Sequence, residues 1–412
     1  MPIFPINLVW RKTSKMASLK AVTKRSRGQQ EPPRFETAYI YHGIDFEKLF
    51  DDGPSDPELE ELFFKIMEAF DGLSEDNLSE RTRELAKEAQ KAHCDYTARV
   101  AKGRDPDTPV TLWDFWRFYV LMVKCVPYRH IGHRLVTEIV LELEKIGKTE
   151  NPTWEDLPEL GETTREEYLD PTNERVVGDD FSYTLEQWLN FNSWLARLIG
   201  SGSERGLNFV VWSIARGLEN DLDKLEEDLE MIREKRKAAI EEHLEEVKAE
   251  RAEKELRWRQ EQGLESQPQS PEDKELIKKD EVVGTDAKSQ VLDNEAFTEI
   301  GKDVETGAKM LCPEAVTRVA VAAEFLIQAA PVILKQSLTW YDGDPVDDSI
   351  QRIFRAGPLF PGTFGFNLER WGFWKRRLGE LRSLLGDEDV EKNVDEALGK
   401  MSAVEVSIAR HL

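Results

Sequence analysis

Apolar side chains recur along this chain at the three- and four-residue spacing of an α-helix, and no stretch alternates with the two-residue period of a half-buried strand. The clearest case is FSYTLEQWLNFNSWLARLI, residues 181–199. Steps of about 100° per residue put Leu185, Trp188, Leu189, Leu195, Ala196 and Ile199 on one face, which Phe191 and Leu198 widen. Thr184 followed by Gln187 is a capping box and sets the start. A face this broad predicts a core helix around which the chain is organised. Asn192 lies in its middle, where a buried amide without partners costs about 1–3 kcal/mol. It is either a structural amide or one that faces a ligand.

The same spacing predicts the other elements. Leu59, Leu62, Phe63, Ile66, Met67 and Phe70 form a stripe between a Ser55/Glu58 box and Gly72. Ser79–Lys102 is a second helix, rich in Glu, Lys and Ala. Thr111 with Asp114 opens a third, LWDFWRFYVLMVKCV, closed by Pro127, and Ile131, Leu135, Ile139, Leu143 and Ile146 mark a fourth that ends at Gly147. Residues 152–178 read mostly as loop, with a turn at Trp154 and a Thr163/Glu166 cap. From Leu207 a stripe through Val211, Ile214, Leu218, Leu222, Leu225, Leu229 and Ile232 predicts one long helix. Beyond Arg233 it continues as Ile240, Leu244 and Val247 among alternating charges, a projecting segment of coiled-coil-like character. Residues 263–290, with Pro268 and Pro271, are too polar to offset their ordering entropy and read as a flexible linker. Pro313 starts a second buried helix, apolar nearly all round from Ala315 to Leu334, with a break or kink at Pro331. After a DGDP turn at 342–345 and a short helix around 350–354, Asn367 caps LERWGFWKRRLGELRSLL, with the seam Trp371, Trp374, Leu378, Leu381 and Leu385. A terminal helix follows a Ser402/Glu405 box.

The predicted fold is all-α, a multi-helix globular or irregular superhelical body with a long charged helix projecting from it. Its expected divisions are a disordered basic tail (1–34), the first half of the body (35–218), a charged helix and linker inserted at 219–295, and the second half (296–412).

Four blocks, WEDLPELG, TLEQWLNFNSWLARL, VAVAAEFLIQAAPVI and FNLERWGFWKRRL, occur in this order. With them the chain resembles a large fungal family of helical proteins catalogued only as a domain of unknown function. The likeness spans roughly residues 55–390, with 233–295 resembling a variable insertion. It implies a helical fold and brings no catalytic residue, cofactor or substrate.

Charge adds a constraint. The chain is 33% charged with a net charge of −24, and residues 1–30 hold seven basic side chains and no acidic one. The remaining 49 basic residues therefore face 80 acidic ones, a net −31. Such a body repels phosphates, so no nucleic acid and no anionic membrane surface is expected as its partner. The longest apolar run, Leu112–Val126, carries Asp114, Arg117 and Lys124 and is too short for a membrane span. The three cysteines are far apart and outside any CxxC spacing, which fits a reducing compartment. A cytoplasmic location is expected; the basic tail leaves mitochondrial or nuclear targeting as alternatives.

The search for chemistry returns little. His130 and His133 have a spacing compatible with one metal but no third ligand at a helical interval, and no metal or other cofactor is expected. His93 and Cys94 point about 100° apart on a helix. GKT at 147–149 and GSGSERG at 200–206 lack the context of a phosphate loop, and DGDPVDD fails the calcium-loop pattern. No catalytic residue is nominated. Two candidate binding features remain. Trp154, Trp188, Trp194, Trp371 and Trp374, with Asn192 as polar handle, line either an apolar pocket or a packed core. The basic run Arg370, Lys375, Arg376, Arg377 and Arg382 either pairs with acidic neighbours or meets a phosphate or an acidic partner segment. The expected function is a non-catalytic scaffold or protein-interaction module, with residues 219–262 offered to a protein partner; the alternative is a small-molecule-binding protein or enzyme using the tryptophan pocket. The oligomeric state is left open.

Overall fold

The computed structural model describes residues 40–41, 44–45, 57–101, 112–150, 154–173, 183–202, 206–235, 310–340 and 347–410, with single positions between 237 and 254. The basic tail, Ser55, the 263–290 linker, the DGDP turn and most of the charged helix beyond Lys235 lie outside the described residues.

Twelve labelled α-helices follow one another among the described residues, as the hydrophobic period dictates: α1 (Pro57–Glu68), α2 (Leu78–Ala101), α3 (Trp113–Cys125), α4 (Ile131–Thr149), α5 (Leu160–Glu166), α6 (Leu185–Gly200), α7 (Leu207–Leu218), α8 (Pro313–Gln328), α9 (Ala330–Thr339), α10 (Asp348–Ile353), α11 (Leu368–Leu381) and α12 (Glu388–Ala409). The fold is all-α apart from one feature that the absence of alternation did not foretell. Ile40–Tyr41 (β1) and Ile44–Asp45 (β2) pair as a two-stranded sheet, too short for a two-residue period to show.

The described residues from Tyr41 onward form one compact unit. Its hub is α8, which packs on α6, α7 and α12, while α3 covers another side of α6 and α2 lies on α1 and α4. The organising helix is thus α8 with α6 beside it. The sequence explains why: α8 buries every position from Val319 to Ile327, and its run of alanines lets neighbouring backbones come close. Glycines complete these crossings. A Cβ on Gly200 of α6 would sit 2.1 Å from the Gln328 carbonyl oxygen, and one on Gly217 of α7 would sit 2.4 Å from that of Arg318. Gly147 does not end α4, which continues to Thr149; its missing side chain makes room for the Trp154 backbone.

Caps written in the sequence hold where they stand at a chain reversal. Thr184 and Gln187 make the expected reciprocal box, each bond 3.1 Å, and Asn367 Oδ1 accepts from the Arg370 amide at 2.7 Å. Elsewhere a local pattern misleads. Thr163 lies inside α5 and donates to the Glu159 carbonyl. Ser402 is in mid-α12, bonded to the Leu398 carbonyl, and that helix begins at Asp387, which accepts from Asp389 and Val390. The N-cap of α3 is Leu112, and the Glu159 carboxylate supplies its acceptor through the Leu112 and Trp113 backbone.

The predicted continuous helix after Leu207 is interrupted. It stops at Leu218, turns through 219–224 and resumes as a helical segment over 225–235. Leu222, Leu225 and Leu229 are buried all the same, and Arg233 pairs with Glu314 at the start of α8. The break at Pro331 is as expected: α8 and α9 meet at Ala329 with an 81° bend. This bent pair is the only apolar combination of spanning length among the described residues, and no single helix is long and apolar enough to cross a membrane.

Candidate functional site

The sequence-nominated residues fall in two neighbourhoods of one continuous core. Trp188 is buried on α6 with Tyr168 edge-on at 4.7 Å and Tyr183 and Phe191 beside it. Asn192, fully buried, donates to the Trp188 carbonyl at 2.8 Å and accepts from Ser213 at 3.2 Å. Trp371 and Trp374 are buried on α11, where Trp371 Nε1 donates to Glu405 Oε1 and Trp374 has Phe366 edge-on. The two groups share no ring contact. The basic run disperses likewise: Lys375 pairs with Glu405, Arg377 with Glu380, and Arg382 with Asp395 and Glu391. Arg376 is exposed and pairs with no carboxylate among the described residues.

Arg370, the first member of that run, has a different environment. It is wholly buried and meets the equally buried Glu219 at two points, Nε to Oε1 at 2.6 Å and Nη2 to Oε2 at 2.9 Å. Its remaining donors reach the carbonyls of Phe354, Arg355 and Gly365 at 2.8–3.0 Å. Glu219 in turn accepts from Trp374 Nε1 and the Gly357 amide, both at 2.6 Å, and its backbone carbonyl takes the Leu359 amide. Every polar atom of the pair is satisfied, which is what allows two charges to stay out of water. This is also the reason α7 stops: Glu219 leaves the helix to face α11. The clamp fixes an irregular loop, 354–365, between α10 and α11.

Above the clamp lies an open groove of about 990 Å3, lined by Asn220, by Asp348, Gln351 and Arg352 of α10, and by loop residues from Arg355 to Phe364. Phe360 forms part of its floor, 5.4 Å from Phe373 and with the Arg370 guanidinium 5.9 Å away. Ile353 and Leu359 are 38% and 39% exposed nearby.

A second polar assembly joins the end of α3 and the turn after it to α6, α8 and α12. Asn190 bridges the Lys124 carbonyl and the Tyr128 amide. Ser193 donates to Glu324 at 2.8 Å, Arg197 reaches Gln328 and the Tyr128 carbonyl, and Asn393 donates to the Tyr128 hydroxyl. Burial pushes the Glu324 carboxyl above its usual range, with Ser193 and Arg197 opposing. His133 is completely buried, and burial, aided by the Arg197 charge, pushes it down to about 3. The Asn190 backbone stands beside it, yet neither ring nitrogen reaches hydrogen-bond geometry. Its partner in the two-histidine spacing, His130, caps α4 instead, accepting from the Gly132 amide. No group of three or more His, Cys, Asp or Glu suited to a metal occurs among the described residues. A third buried charge, Asp170, pairs with Arg216 and holds Thr172, which Arg318 contacts twice, so that the 168–173 segment is fastened to α7 and α8.

Glu219, Glu324, His133 and Asp170 were not nominated from sequence. His133 had drawn notice there only through its spacing from His130, and Glu324 had a signal as the lone acid in the apolar run VAVAAEFLIQ.

No curated protein and no solved structure matches the chain. A family model described as Protein of unknown function (DUF3632) matches residues 116–378, and both members of the Glu219–Arg370 pair fall inside it. That span exceeds half of the sequence, and the chain belongs to the DUF3632 family.

Proposed function

We propose that this protein is a non-catalytic scaffold or protein-interaction module. The observation that carries the reading is the clamp beneath the 354–365 loop: a buried ion pair and three carbonyl bonds hold an exposed, irregular, partly apolar surface in one conformation. A surface ordered before binding loses little entropy on binding, the property expected of a docking site. The charged stretch 219–262 offers a second contact for a protein partner through its part beyond the buried Leu222, Leu225 and Leu229. Cys94, Cys125 and Cys312 form no disulfide with one another, which fits the cytoplasm as its place of work.

The competing reading, a small molecule held among Trp188, Trp371 and Trp374, has less support, because Asn192 and both α11 indoles already have protein partners. Quantitative affinity capture of the full chain, of a chain lacking 236–262 and of a Leu359→Asp variant tests the proposal. The expected result is a protein partner whose recovery drops with one or both changes. A metabolite detected by native mass spectrometry of the purified protein, with no partner dependent on either region, would overturn it in favour of ligand binding.

A further inference from the structure

From the charge and relief of the groove beside the clamp, we infer that it binds an acidic peptide segment carrying a large apolar anchor. This rests on the interaction reading and specifies the chemistry of the partner. Arg352 and Arg355, at the end of α10 and the start of the loop, are exposed on its wall and pair with no carboxylate among the described residues. Arg129, Arg134, Arg233 and Arg382 show the contrasting case of a guanidinium engaged by an acid. Arg352 Nε donates to the Asp348 carbonyl, which leaves its terminal nitrogens and the Arg355 guanidinium, three residues on, as the groups suited to carboxylates. Between and below them the surface is apolar, with Phe360 in the floor and Leu359 exposed close by. Asp348 lies one turn before Arg352 on the same helix, so the favoured segment has its acids toward Arg355 and the terminal nitrogens of Arg352 and its apolar anchor over Phe360.

The shape favours an extended chain over a small molecule, because the groove is open and shallow whereas small ligands favour sites that enclose most of their surface. The loop amides do not vary to suit the guest: Leu359 N–H and Gly357 N–H are committed to Glu219, and three loop carbonyls to Arg370. Recognition therefore falls to the side chains of Arg352, Arg355 and Phe360. Nucleic acid, whose phosphates would also meet the arginines, carries a charge on every residue, which a body of net −24 opposes more strongly than the few carboxylates of a peptide.

The test is a random peptide library displayed on ribosomes and selected on the full chain, with enriched peptides measured against wild type, Arg352→Glu/Arg355→Glu and, as a control on a remote exposed arginine, Arg83→Glu. Melting curves check that all three are folded. Expected are peptides with two or more acidic residues next to Phe, Leu, Ile or Trp, weakened at least tenfold by the double reversal and unchanged by Arg83→Glu. Enriched peptides without acids, binding indifferent to the double reversal, or a single-stranded oligonucleotide that binds in their place would each overturn the inference. If peptides bind strongly but elsewhere, the groove assignment falls and the interaction reading stands; a selection that yields no binder removes both.

Discussion

Glu219 and Arg370 are 151 positions apart in the chain and form a two-point ion pair in which neither side chain has any exposure to solvent. Removing one member leaves the other buried and uncompensated. Glu219→Gln and Arg370→Met are each expected to lower the unfolding free energy by about 3–5 kcal/mol, whereas the combined Glu219→Leu/Arg370→Met replacement loses less than the sum. Urea unfolding of the four proteins measures this. Losses under 1 kcal/mol for both single variants would show that the pair is not closed in solution.

Asn192 and Trp188 are joined by one bond within α6 and so respond differently to truncation. Trp188→Ala empties a large aromatic site and is expected to cost about 3–5 kcal/mol. Asn192→Leu strips Ser213 of its acceptor and the Trp188 carbonyl of an extra donor, and is expected to cost about 1–3 kcal/mol. Thermal melts decide: an unchanged or raised Tm for Asn192→Leu, with Trp188→Ala destabilised, would return the amide to the ligand-facing reading.

Helix propensity alone favours alanine over glycine by about 1 kcal/mol. At Gly217 the order reverses, because the added methyl would press on the Arg318 carbonyl, part of the α8 backbone, which has nowhere to go. Gly217→Ala is expected to destabilise by about 1–3 kcal/mol, while the same change at Gly399, where nothing lies within 4 Å, is expected to stabilise. Chemical denaturation of the two variants compares them directly, and a Gly217→Ala protein as stable as wild type would mean that α7 and α8 stand farther apart.

Acid should expose His133. Its pKa is about 3 when folded and about 6.5 when unfolded, so the unfolded chain binds the proton first and stability is lost as pH falls below 6.5. The loss attributable to this side chain is about 1.4 kcal/mol per pH unit down to pH 3. His93, also lowered by burial, adds in the same direction. Glu324 acts oppositely, since its raised carboxyl takes up a proton in the folded state first. The difference in Tm between wild type and His133→Gln, followed from pH 7.5 to 5, isolates the histidine. A difference that does not change with pH would contradict the burial of an uncharged ring.

How much of this was legible in the sequence depends on how far each feature reaches along the chain. Stripes such as Leu59 to Phe70 and the Thr184/Gln187 box are local, and the structure has them where the pattern put them. The break at Glu219 was hidden because Leu218, Leu222, Leu225 and Leu229 keep helical spacing through it, and all four are buried on either side of the turn. The reverse error occurred at Ser402, where a cap-like spacing recurs inside a helix whose true start, Asp387, lies more than three turns earlier. Arg370 was noticed only as one of a basic run, since nothing near it in sequence announces a buried carboxylate partner. Long-range polar pairing is set by the assembled helices, and one sequence by itself carries no trace of it.

The Arg233–Glu314 contact brings together two points that 81 positions of chain separate. A segment that leaves and rejoins a body at adjacent points acts as a loop whose closure entropy changes only slowly with its length. Changes of length between these two anchors are expected to leave the packing of α7 on α8 intact, and urea unfolding of a chain lacking 236–262 measures it.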